Sequence, residues 1–143
     1  LTNDHFMDAD RRTVRADTLF FTRDKFVFDE TLYMRLHVEN YNAHPVKLRF
    51  LHHFEADYAD IFQVRGLVRE RHGAVHAQTA SPASVELQYT RLDGETRTTH
   101  VRFSTPPVQL SGHEAEFVVD IPPHASWFVV VTISADPLKI RPY

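Results

Sequence analysis

Leu32-Tyr33-Met34-Arg35-Leu36-His37-Val38-Glu39 decides the fold. Leu32, Met34, Leu36 and Val38 alternate with Tyr33, Arg35, His37 and Glu39, which is the period of a strand with one face in a core. The same period recurs downstream. Val46, Leu48 and Phe50 alternate with Lys47 and Arg49, and Val85, Leu87 and Tyr89 form another set, followed by Val101 and Phe103. Ala115, Phe117, Val119 and Ile121 follow, and Trp127, Val129, Val131 and Ile133 close the series. The β-branched and aromatic content of these runs suits strands.

Turn signals separate the runs. Asn40-Tyr41-Asn42-Ala43-His44-Pro45 divides two strands, and Leu92-Asp93-Gly94-Glu95 has the composition of a hairpin turn. Ser111-Gly112-His113 and Pro122-Pro123-His124 punctuate the last two links, and Ser81-Pro82-Ala83-Ser84 ends a less regular stretch. About nine or ten strands with no amphipathic helix predict an all-β, antiparallel β-sandwich. One domain is expected over residues 1–135, with an exit segment at 136–143 where Pro137 and Pro142 discourage regular structure.

Composition narrows the function. The chain has 143 residues, 43% of them hydrophobic, including 11 Phe, five Tyr and one Trp, which is ample for one core. A net charge of −3 and the absence of a basic run longer than Arg11-Arg12 point away from nucleic acid and acidic membranes. No apolar run approaches the length of a membrane span, and no signal-peptide pattern opens the sequence. The absence of cysteine removes disulfides, thiolate metal sites and a cysteine nucleophile, and fits a reducing, cytoplasmic setting. Ten histidines would make net charge move steeply just below neutrality.

The chemistry-bearing candidates gather in Phe54-Glu55-Ala56-Asp57-Tyr58-Ala59-Asp60-Ile61-Phe62-Gln63-Val64-Arg65-Gly66. Charges set among apolar side chains need partners, since an unpaired buried charge is costly. A structural network is therefore expected. Asp57 would cap or anchor a short helical turn, Asp60 would pair with Arg65, and Gly66 would permit the backbone to turn. Tyr58 is a contact candidate, and truncating Arg65 would then cost a few kcal/mol.

Other constellations are weaker. Glu55, Asp57 and Asp60 could supply a glycosidase-like carboxylate pair, and His53, Glu55 and Asp57 could share one strand face as a metal triad. Carboxylate pairs this close in sequence are common on strands and turns, and histidines on solvated strand faces are commoner than ligands. His72 and His76 have helical metal-pair spacing, but Gly73 replaces the glutamate of the zinc-protease pattern. Leu110-Ser111-Gly112-His113 is no nucleophile elbow, and four glycines offer no phosphate-cradling loop. No catalytic residue, cofactor or metal is assigned.

With these residues in view, the chain resembles a known family. Phe54 to Gly66 is similar to the central motif of the N-terminal β-domain of bacterial and archaeal glycogen-debranching-enzyme-like proteins, of the amylo-alpha-1,6-glucosidase type. Leu1-Thr2-Asn3-Asp4, Leu32 to Tyr41, Val68-Arg69-Glu70-Arg71-His72-Gly73 and Tyr89-Thr90-Arg91-Leu92-Asp93-Gly94 match in order, so the likeness covers roughly residues 1 to 134. It implies a supersandwich-like domain without catalytic residues, preceding an α/α-barrel glycosidase domain that holds the acid and base and acts on α-glucan. It also implies a further segment upstream of the part matching Leu1, so the domain is expected to be N-terminally incomplete. An open sheet edge would then allow a homodimer. The alternative is an autonomous α-glucan-binding module using exposed tyrosines.

Overall fold

The alternating runs pair as strands. A computed structural model describes residues 1–58, 65 and 73–136. Among the described residues there are eleven strands and no helix: β1 (Phe6–Met7), β2 (Thr13–Val14), β3 (Leu19–Phe28), β4 (Thr31–Asn40), β5 (Val46–His53), β6 (Ala74–Ser81), β7 (Ser84–Thr90), β8 (Thr96–Phe103), β9 (Gln109–Leu110), β10 (Glu114–Ile121) and β11 (Ser126–Ser134). Eleven is one or two more than the nine or ten expected; β1, β2 and β9 are two-residue strands, too short to show a period.

All pairs are antiparallel. Six strands form one sheet in the order β3-β4-β11-β8-β7-β6, three form a second in the order β5-β10-β9, and β1 and β2 make a small ribbon. The predicted β-sandwich is therefore present. Its core lies between the larger sheets. Met34, Val85, Leu87, Val101, Phe103, Ala115, Phe117, Val129 and Val131 fill one end, and Val14, Leu19, Val38, Val46, Leu48 and Ile121 fill the other. Phe50, Val119 and Trp127 pack against both clusters and join them. Phe21 meets Phe50 edge-on, Phe50 stacks on Trp127 at 5.4 Å, and Phe117 links Trp127 to Phe103 at 5.7 Å on each side.

Three polar side chains fix the irregular parts. Asn40 is 1% exposed; its amide donates to the carbonyls of His44, Ile121 and Pro122, and its Oδ1 accepts from the backbone and side chain of Asn42. Asn3 Oδ1 accepts from the amides of Thr18 and Leu19, tying the first residues to the start of β3. Asp8 accepts from the amides of Asp10, Arg12 and Lys47, holding the β1–β2 ribbon on β5. The β7–β8 turn uses Gly94 at φ +89°, as the Asp-Gly signal predicted. The β3–β4 turn has two residues, Asp29 and Glu30, at φ 47° and 60°.

Candidate functional site

Alternation also governs the segment that follows β5. Phe54 is buried, Ala56 packs on the core and Tyr58 is half-buried, whereas Glu55 and Asp57 are exposed. The expectation that these carboxylates sit in an apolar layer is corrected, because burial alternates over 54–58 and leaves Glu55 and Asp57 on the solvent side. Tyr58 is the anchor. Its hydroxyl donates to the Leu87 carbonyl and lies 3.1 Å from Thr99 Oγ1, and its ring stacks on Tyr89 at 4.9 Å. Tyr89 in turn accepts from the Gly73 amide at 3.2 Å. Gly73 is required there, since a Cβ would stand 2.2 Å from the Thr90 carbonyl oxygen. Tyr89 thus holds the chain at both Tyr58 and Gly73.

The remaining candidates separate. Arg65 is exposed, so the buried-pair premise does not hold for it. Asp60, Gly66 and the rest of the expected helical turn lie outside the described residues, as does His72. His53 Nδ1 is 3.1 Å from Glu114, a partner the triad reading did not include, and among the described residues no three His, Asp or Glu side chains gather as a metal site.

The outer face of the six-stranded sheet carries the stronger surface feature. Phe20 and Phe26 of β3 and Phe128 of β11 are 42%, 48% and 49% exposed. Register sets them around β4: Phe20 opposite Glu39, Phe128 opposite His37 and Phe26 opposite Tyr33. Phe26 covers Tyr33 by stacking at 5.0 Å, which leaves Tyr33 only 5% exposed. Val130 and Thr132 are buried on this face as well, so β11 is enclosed on both sides rather than half-buried. Charges lie between the rings. Arg35 binds Asp24 at 2.7 Å, His37 is 3.9 Å from Glu39, and His100 is 3.5 Å from Glu86.

At one end this face opens into a hollow of about 340 Å³ lined by Glu39, Asn40, Tyr41, His124, Ala125 and Ser126. The Tyr41 hydroxyl donates to Glu39, and that bond raises the pKa of the tyrosine above its ordinary value. Alternation assigned the strands' inward sides and left this outer face unread. The signal was present in Trp127-Phe128-Val129-Val130-Val131, a run with no polar face.

Comparison with known proteins now bears on the domain. The family model for the N-terminal domain of (some) glycogen debranching enzymes matches residues 1–132. The chain belongs to this family. The resemblance carried by Phe54 to Gly66 and its flanking motifs is therefore upheld. No curated protein sequence matches the chain. Among solved structures, a polysaccharide lyase is similar over 90% of this chain and 22% of its own, with 13% identity and a TM-score of 0.48. This debranching-enzyme N-terminal domain thus spans about a fifth of that lyase. Among its described residues no helix is long and apolar enough to cross a membrane.

Proposed function

We propose that this domain is non-catalytic, cytoplasmic and built to pack on and support an α-glucan-hydrolysing α/α-barrel glycosidase domain of a debranching protein. The outer face of the six-stranded sheet carries the reading. Exposed Phe20, Phe26 and Phe128, interspersed with the Asp24–Arg35 and His37–Glu39 pairs, have the mixed aromatic and charged make-up of an interdomain contact. The test is association with a separately prepared glycosidase domain of a debranching enzyme, measured by titration calorimetry. Saturable binding is expected, weakened about tenfold or more by Phe128→Ser, because aromatic anchors dominate such contacts. Binding indifferent to Phe20→Ser, Phe26→Ser and Phe128→Ser together would sink this reading.

The second reading, an autonomous α-glucan-binding module, draws on Tyr41, 59% exposed beside Glu39 in the hollow. It has less support, because Tyr33, Tyr58 and Tyr89 are buried or half-buried, leaving Tyr41 as the exposed tyrosine among the described residues. An NMR titration of this chain with maltoheptaose and a branched limit dextrin separates the two. The docking reading expects no localised shifts at millimolar sugar; saturable shifts around Tyr41 and His124 would favour the module.

A further inference from the structure

We propose that the hollow at Glu39 is a guanidinium site, filled by an arginine side chain of the domain that docks on the outer face of the six-stranded sheet. The source of that arginine rests on the docking reading. The choice of a guanidinium rests on the hollow itself.

The strands set one carboxylate among aromatic rings. Glu39 lies on β4, with Phe20 of β3 directly opposite on one side and Ser126 of β11 on the other. Side chains directly opposite in a sheet share a face about 5 Å apart, so Phe20 flanks Glu39. Phe128 is opposite His37, the next position along the same face, and Tyr41 follows Glu39 at the wall of the hollow. All three rings are exposed. Ser126 is exposed and small, and Ala125 beside it is smaller, which keeps the hollow open on that side. Further along β11 the same face is closed at Val130 and Thr132. Backwards from Leu1 along β3, and onwards along β11 to Ser134, the chain runs toward Thr31. That is the opposite end of β4 from Glu39, so continuation in either direction leads away from the hollow.

The chemistry of the corner selects a planar cation. Glu39 accepts from the Tyr41 hydroxyl at one carboxylate oxygen, and His37 Nδ1 stands 3.9 Å from the other. A carboxylate offers about four lone-pair sites, so most of its accepting capacity is unused. Among the described residues no lysine or arginine lies within ion-pair distance of it. The bond to Glu39 raises the Tyr41 pKa, which keeps that ring neutral and its face attractive to a cation. A guanidinium donates a forked pair of N–H groups to a carboxylate while lying flat against a ring, and it sheds water more readily than an ammonium. An anion would be repelled by Glu39, and an apolar side chain would bury the carboxylate without a cation.

The test first reads the hollow in this chain alone, by NMR titration with capped arginine amide, capped lysine amide and capped citrulline amide, the last an uncharged isostere of arginine. Saturable shifts at Glu39, Tyr41 and Ser126 are expected with arginine, about fivefold or more weaker binding with lysine, and no saturation with citrulline. Glu39→Gln keeps the side-chain shape and should abolish the arginine shifts. Ser126→Arg sets a tethered guanidinium opposite Glu39 and should block the probe, which keeps the test valid should Glu39→Gln not fold. In calorimetry with the glycosidase domain, each variant should weaken association about tenfold or more. Equal binding of the lysine or citrulline analogue, shifts centred elsewhere, or arginine shifts that survive Glu39→Gln would overturn the proposal. So would saturable maltoheptaose shifts at Tyr41 with none from arginine, or domain association unchanged by both variants. The two readings fail separately. Arginine shifts with no association of the domains would sink the docking reading and with it the occupant, whereas association without arginine shifts would sink the site alone.

Discussion

Asn40 shows how much one polar side chain decides. It satisfies three carbonyls at the junction of β4, β10 and the turn before β11, in a site closed to water. Asn40→Ala removes that donor from all three, leaving Pro122 with only the Ala125 amide, so a loss of about 2–4 kcal/mol is expected in urea unfolding. Asp8 acts similarly through charge. Burial pushes its carboxyl up, but amide donors from Arg12, Lys47 and Asp10 outweigh this and hold it below the ordinary value. A carboxyl depressed on folding stabilises fully above its unfolded pKa, and that contribution is lost as pH falls through the folded value. Asp8→Asn should therefore lower the Tm at pH 7, with the gap to the parent narrowing below about pH 4. Arg65 is the contrasting case. Being exposed, its truncation to Ala should alter stability by no more than about 0.5 kcal/mol, measured by the same unfolding curves.

At the scale of elements, legibility followed burial. β4, β5, β7, β8, β10 and β11 each have a continuous inward set and could be read from period two. β3 escaped because its second half, Arg23 to Phe28, is exposed on both sides, so no apolar period marks it. β6 escaped because Ala74-Val75-His76-Ala77 and Gln78-Thr79-Ala80-Ser81 carry little apolar contrast and a register shift near Thr79. The β3–β4 turn was hidden too. Two-residue hairpins with both φ values positive favour Asn-Gly, and this one is Asp-Glu. Glu30→Gly should accordingly raise stability by about 0.5–1 kcal/mol in thermal unfolding, by relieving the left-handed conformation. The site was legible in part. In the motif after β5, Phe54 and Ala56 pack on the core and Tyr58, a candidate from the sequence, bonds to Leu87; attention to charge passed over the first two.

For the whole molecule, the chain of rings from Phe21 through Phe50, Trp127, Phe117 and Phe103 makes the two core clusters one body. Phe117, 3% exposed, sits within it, and Phe117→Ala should cost about 3–5 kcal/mol. Trp127, the single tryptophan, should report that loss in the same transition as far-UV circular dichroism, and separated transitions would mean that the clusters unfold independently.

The position of β11 has a consequence for how the molecule is made. It pairs with β4 on one side and β8 on the other, and it is the last strand in chain order among the described residues. Until Ser126 to Ser134 have left the ribosome, the large sheet exists only as a β3–β4 hairpin and a β6–β7–β8 meander with no ladder between them. Assembly of the large sheet must wait until nearly all of this domain's strands have been translated. The nascent chain then carries two unclosed sheet edges, the state in which a β protein is most exposed to mispairing and to chaperone capture.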